Sequence, residues 1–334
     1  MKNYVSFLFS QKRKNIILFT AILLAIILSA TLFFLKIPNE PPKSNNSLEI
    51  QKQIVNSIDK YGLEQAYQKA AEEYKAKPLS YKNMEDGHIY FHVFGEVIFE
   101  QKGLDGINFC DETFVLNGCY HGFILKAVSK IGLPVINEIS LRCQNVSECQ
   151  HGLGHAVLEL NGTDKLIDSL NFCSRFKKDT NYNTCQDGVF MQYFFPDPIN
   201  KVLRKLDTAR PYDVCSSISE EFKYNCFYGL PQWWLDHGNN YQQIGQWCLQ
   251  TSEDRTKTAC FRGMGVISIL SSGLNIDEVK STCNLVDNQQ GRELCLLSAY
   301  GGLWTLPEHR EKAKELCQGI SEEFKKVCLK SRET

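Results

Sequence analysis

Fourteen cysteines in seven successive pairs constrain this chain more than any other feature. The pairs are Cys110/Cys119, Cys143/Cys149, Cys173/Cys185, Cys215/Cys226, Cys248/Cys260, Cys283/Cys295 and Cys317/Cys328. From Cys110 to Cys317 the first members advance 207 residues in six steps, 34.5 per step; the second members advance 209, about 34.8 per step. A period near 34 is that of a helix–turn–helix repeat, a unit that cannot bury its apolar face alone and must stack on its neighbours. The third residue after each second cysteine is also regular: Gly122, Gly152, Gly188, Gly229 and Gly263, then Ser298 and Ser331. A small residue at one fixed register marks a place where backbones approach closely.

Each pair predicts two helices. Amphipathic runs such as Lys165–Cys173, Ile276–Cys283 and His309–Cys317 precede the first cysteine, and apolar runs such as Cys260–Gly273 follow the second. Six to twelve residues separate the members of a pair, a polar stretch that turns the chain between antiparallel helices. The first cysteine is then expected to end helix A and the second to open helix B, at a separation a disulfide can bridge. Each bridge is worth about 2–4 kcal/mol, with short loops at the low end. Pairing within each repeat is an inference from regularity; zinc ligation is the alternative, but zinc clusters favour cysteines two to four residues apart, and no pair here is that close.

The compartment follows from the N-terminus. Residues 16–35 are twenty positions without a charge, about 30 Å of helix and the thickness of a bilayer's hydrocarbon. Lys12, Arg13 and Lys14 precede them, so the positive-inside rule predicts a cytoplasmic N-terminus and an exported remainder. A cleaved signal peptide is the rival, because Ser29-Ala30-Thr31 offers small residues; Leu32–Leu35 carry the apolar run past that point. The expected organisation is a cytoplasmic segment 1–14, a transmembrane signal-anchor 15–36, a Pro-rich linker 37–47 and an extracytoplasmic helical-repeat domain 48–334. Export favours disulfides over zinc. A net charge of −1, from 37 basic and 38 acidic side chains, argues against nucleic acid as a partner. With 43% hydrophobic and 22% charged residues, the chain is not a disordered one.

Seven stapled pairs, each with Cys-x-x-Gly or Cys-x-x-Ser at the second cysteine, resemble in architecture the Sel1-like repeats, especially the cysteine-rich Sel1-like proteins that bacteria secrete. The resemblance covers Cys110 to Cys328. It implies an all-α solenoid of disulfide-stapled α/α-hairpins and a role as a binding scaffold, and it carries over no functional residue. Ahead of it, residues 48–77 read as one strongly helical run ending before Pro78, and His88–Gly103 as a further helix B; together they form a hairpin without cysteine, so about eight hairpins are expected.

The candidate chemistry lies in the histidines. Five of seven fall between His88 and His155. Two residues after the second cysteine stand His121, His151, Asp187, Tyr228, Arg262 and Leu297 in turn. His151, His155 and Glu159 follow at four-residue intervals, and His88, His92 and Glu96 repeat that spacing. Such spacing puts three side chains on one helical face, where two imidazoles can share a metal ion. On three stacked B helices the five imidazoles are expected at similar height, with Glu96 and Glu159 as ligands or orienting carboxylates. First-turn histidines meet the positive end of the helix dipole, which favours the neutral form a metal needs. Nitrogen-rich ligation suits zinc, copper, nickel or iron(II). A structural polar network and metal-free acid–base catalysis are the alternatives.

Other signals are weaker. Phe190, Tyr193, Phe194, Phe195, Trp233, Trp234 and Trp304 read first as core between stacked helices and second as an aromatic groove for a peptide or glycan. Asn45-Asn46-Ser47, Asn145-Val146-Ser147 and Asn161-Gly162-Thr163 fit the glycan acceptor pattern, which matters only in a eukaryote. No phosphate-binding loop, dinucleotide loop or nucleophile elbow is present, and seven pairs leave no cysteine over as a nucleophile. The expected function is a membrane-anchored binding or interaction protein with a histidine-rich metal site. A metal-dependent hydrolase with Glu96 or Glu159 as general base, and a pure scaffold, are the rival expectations.

Overall fold

The structure, a computed structural model, describes residues 45–77, 81–110, 118–176, 182–196, 202–306 and 309–330. The described residues all belong to one compact unit, Lys43–Thr334. The expected signal-anchor 15–36 lies outside them. Among the described residues no helix is long and apolar enough to cross a membrane.

The described residues form helices and no strand. In chain order the α-helices are α1 (Asn45–Tyr61), α2 (Leu63–Ala76), α3 (Tyr81–Lys102), α4 (Gly118–Ile131), α5 (Leu133–Arg142), α6 (Ser147–Asn161), α7 (Leu166–Cys173), α8 (Thr184–Phe194), α9 (Asp213–Ser216), α10 (Glu220–Asp236), α11 (Tyr241–Gln250), α12 (Asp254–Ser271), α13 (Ile276–Asn284), α14 (Gln289–Trp304), α15 (Arg310–Ala313) and α16 (Glu322–Lys330). All seven expected disulfides are formed within their hairpins, with Cα atoms 5.2 to 5.9 Å apart, and no described cysteine is free. Seven bridges and no thiol suit an oxidising environment.

Several local expectations are corrected. The run before Pro78 is two helices, because Gly62 takes φ +79 between α1 and α2, a left-handed conformation that interrupts the helix. Helix α3 begins at Tyr81, two turns before His88. The second cysteine opens helix B only at Cys119, Cys149 and Cys185; Cys226, Cys260, Cys295 and Cys328 stand six residues inside α10, α12, α14 and α16. Capping explains the difference. Asn183, two residues before Cys185, accepts a hydrogen bond from the Gln186 amide, whereas Asn288, seven before Cys295, accepts from Gly291. Helix A shrinks to a 3-10 turn before Cys110, and to one turn at Cys215. At Cys317 it is one turn followed by 3-10 helix.

The B helices α3, α4, α6, α8, α10, α12 and α14 pack each on the next. The register glycines set most of these steps. A Cβ at Gly122 would lie 1.7 Å from the His92 carbonyl oxygen, one at Gly188 2.0 Å from that of His151, and one at Gly263 2.0 Å from that of Tyr228. A second small position, five residues after the cysteine, faces the other way: a Cβ at Gly154 would lie 2.0 Å from the Cys185 carbonyl, and one at Gly265 2.2 Å from that of Cys295. Two steps are wider. Between α4 and α6 the five-residue position is Ile124, and a Cβ at Gly152 would stand 3.3 Å from the nearest carbonyl, that of Tyr120. Between α8 and α10 it is Phe190, and a Cβ at Gly229 would meet only the Phe194 ring, at 3.5 Å. At α10–α12 the same position is Pro231, whose Cδ is tolerated 3.3 Å from a Cβ at Gly263. The core fills these interfaces, and Phe190, Tyr193, Phe194, Trp233 and Trp234 are buried in it, as their first reading expects.

Candidate metal centre

Because Gly122 lies over the His92 carbonyl as Gly188 lies over that of His151, α3 shares the register of the cysteine-bearing helices, with Tyr90 standing where the cysteine would be. His92, His121, His151 and Asp187 are thereby equivalent positions on α3, α4, α6 and α8, the four helices that build the site. One turn away on the same faces are His88 and His155.

The five imidazoles form one continuous run. Ring centroids are 5.0 Å apart for His88 and His121, 5.1 Å for His121 and His151, 4.5 Å for His121 and His155, and 5.0 Å for His151 and His155. Ligating atoms converge in three of them. One nitrogen each from His121, His151 and His155 lie within 4.8 Å of one another, the one group of this kind among the described residues. His88 and His92 flank it, with His92 6.4 Å from His121 ring to ring. The triad occupies the wide step between α4 and α6, where the extra room accommodates three rings.

Hydrogen bonds orient the pair on α6. His151 Nδ1 lies 3.2 Å from Asp187 Oδ2, and His155 Nδ1 lies 3.0 Å from Gln192 Oε1. The orientation of that amide follows from its other end: Gln192 Nε2 donates to Glu159 Oε2 at 2.7 Å and to the Pro196 carbonyl at 3.1 Å. Each Nδ1 is therefore the donor to its acceptor on α8, which leaves Nε2 as the ring nitrogen turned to the triad. The two Nε2 atoms face each other at 3.2 Å. His121 Nε2 is buried without a hydrogen-bond partner.

Burial favours neutral rings at His121 and His155. Burial pushes the His121 imidazolium well below its usual range, and the neighbouring His155, His88, His151 and His92 push the same way. Burial does the same for His155, helped by His151 and opposed by the bond to Gln192. Behind Asp187 the Tyr182 hydroxyl donates to the carboxylate; burial, then the Asp187 charge, holds that phenol well above its usual range, so it stays a donor.

The two expected carboxylates stand beside imidazoles or their partners. Glu159 accepts from Gln192, whose amide oxygen meets His155, and Glu96 stands 3.7 Å from His92 Nδ1. Asp187 and Gln192 are partners that motif reading passes over. Asp187 is legible as the residue that continues the histidine register; Gln192 shows only as a lone amide in the apolar run Val189–Phe195. No family model, no curated protein and no solved structure matches the chain.

Proposed function

We propose that this chain is an exported helical-repeat binding protein, anchored by residues 15–36 with its N-terminus inside, and that His121, His151 and His155 bind one transition-metal ion. The observation that carries this reading is the inward-facing Nε2 pair of His151 and His155 at 3.2 Å. Two ring nitrogens at that distance either share a proton or ligate a common cation, and the convergence of His121 on the same point favours the cation. With metal–nitrogen bonds of about 2.0–2.1 Å and tetrahedral angles, ligand nitrogens stand roughly 3.3–3.4 Å apart, so the pair is spaced for one ion. Rings kept neutral by burial support the same reading. The anchor rests on the charge-free segment and its basic flank, and export agrees with seven bridged cysteine pairs.

The succession of stapled hairpins, with B helices packed in series, supports a solenoid of the Sel1-like kind, whose surface would take a protein, peptide or glycan partner. Binding is favoured over hydrolysis, because Glu96 and Glu159, the carboxylates a hydrolase would use as general base, are turned to His92 and Gln192. The full-length chain, purified oxidised in detergent and titrated in turn with Zn(II), Cu(II), Ni(II) and Fe(II), is expected to hold one ion per chain. The His151→Ala/His155→Ala double variant is expected to hold none. Equal metal content in the two would end the metal reading and leave a scaffold with a polar network.

A further inference from the structure

Both ligands on α6 are oriented by α8, a helix that contributes no ligand. Asp187 and Gln192 sit five residues apart on it, and each meets a different imidazole at its Nδ1. We infer that Asp187 and Gln192 are positioning residues that lock His151 and His155 in the Nδ1–H tautomer and so aim both Nε2 lone pairs at a divalent cation. The inference rests on the metal reading above and deepens it: α8 decides how the ion is held.

Three observations carry it. First, α6 and α8 form a closely locked step. Gly154 and Gly188 press on opposite backbones, each with a would-be Cβ 2.0 Å from a carbonyl oxygen, so Asp187 and Gln192 cannot drift relative to the rings they hold. The ligand-bearing step α4–α6 lacks that lock, which leaves alignment of the pair to hydrogen bonds from α8. Second, both acceptors are themselves fixed from behind. Tyr182 donates to Asp187, and the Gln192 amide is pinned by Glu159 and the Pro196 carbonyl. Were the amide turned over, its NH2 would face the His155 Nδ1–H and its oxygen would face the Glu159 carboxylate, two repulsive contacts in place of two bonds. Third, the charge matches a dication. Imidazole ligands bring no negative charge of their own, and the carboxylates of Asp187 and Glu159 stand one and two hydrogen bonds behind them.

The test compares the full-length oxidised chain with Asp187→Asn, Gln192→Leu and, as a rescue, Asp187→Glu. Zn(II) affinity is measured against a chromophoric chelator, the ligand field through Co(II) absorption, and the tautomers of His151 and His155 through their ring 15N shifts in the metal-free chain. Disulfide mapping and circular dichroism confirm that each variant is folded. Loss of one such outer partner is expected to weaken zinc binding by about 10–100-fold, to alter the Co(II) spectrum, and to move the 15N signature of His151 in Asp187→Asn and of His155 in Gln192→Leu. Asp187→Glu is expected to recover most of the affinity. Unchanged affinity and 15N shifts in both variants would overturn the positioning roles while the metal centre stands. A wild-type chain that binds no ion would overturn both.

Discussion

The two wide steps in the row of B helices are opened by the same device and filled with opposite chemistry. Ile124 and Phe190 occupy the position that Gly95, Gly154 and Gly265 occupy at close steps; Ile124 stands against Gly152, and Phe194, one turn beyond Phe190, stands against Gly229. Between α8 and α10 the room is taken by rings: Phe194 stacks on Trp233 at 4.9 Å, and Tyr182 meets Tyr228 at 5.0 Å. Several polar groups there are paired, although both side-chain polar atoms of the buried Gln186 on α8 have no hydrogen-bond partner. Trp233 Nε1 donates to the Arg204 carbonyl, Asn225 Nδ2 donates to the Asn183 carbonyl, and the Asn183 amide donates to Asn225 Oδ1. Between α4 and α6 the room is taken by imidazoles, with His121 Nε2 unpartnered and the Nε2 atoms of His151 and His155 facing each other. The α8–α10 gap is closed by stacked apolar rings, whereas the α4–α6 gap brings ligating nitrogens together, which suits it to a ligand.

The sharpest way to break that contrast is truncation in each gap. Trp233→Ala removes a buried ring and is expected to cost about 3–5 kcal/mol of unfolding free energy, whether or not metal is present. His155→Ala in metal-free protein is expected to cost far less, and to abolish stabilisation by added zinc. Denaturant unfolding under oxidising conditions, with and without chelator, checks both. A metal-free cost at His155 equal to that at Trp233 would mean that the imidazoles are core like the aromatic rings.

The difference between close and wide steps is open to glycine replacement. Gly188→Ala drives a methyl group against the His151 carbonyl, where no flexible side chain can yield, and is expected to destabilise by roughly 2–3 kcal/mol. Gly229→Ala finds its nearest neighbour at ordinary contact distance, and an alanine inside α10 gains about 0.5–1 kcal/mol in helix preference. The two variants should therefore shift the melting temperature in opposite directions, and a loss at Gly229 as large as that at Gly188 would show that the two steps do not differ.

These contrasts show what was legible in the chain beforehand. The cysteine period, the within-hairpin bridges and the all-helical class were written in spacing, because a disulfide and a close helix crossing each tolerate only one register. The approach of five histidines was legible for the same reason. Helix starts were not, since the cysteine says nothing of where capping occurs: Asn183 sits two residues before its cysteine and Asn288 seven. The width of each step was also hidden, for it depends on Ile124 meeting Gly152 and Phe194 meeting Gly229, residues far apart in sequence. The roles of Asp187 and Gln192 belong to the same class, because a hydrogen bond between helices leaves no periodic trace in either.

The smallest expected effects lie in the pH dependence, where the two gaps should fail at opposite ends of the scale. In the metal-free chain the folded state holds His121 and His155 below the imidazole value of 6.5 that the unfolded chain regains. Above pH 6.5 both states carry neutral rings and stability does not respond; as pH falls below 6.5 the unfolded chain takes up protons the folded one refuses, and stability drops. At the aromatic gap the sign reverses. Burial holds Tyr182 and Tyr228 above the phenol value of 10.0, so stability is full below pH 10 and declines above it, as the unfolded chain releases protons that the folded one keeps. Each group contributes at most about 1.4 kcal/mol per pH unit. Melting temperatures of chelator-treated protein from pH 5 to 11 should show both flanks; His121→Ala should flatten the acid one and Tyr228→Phe the alkaline one. Saturating zinc should flatten the acid flank at its upper end and then steepen it lower down, where protons displace the ion, and leave the alkaline flank as it was. An acid flank indifferent to both His121→Ala and zinc would place its origin outside the α4–α6 gap and remove the distinction between the two.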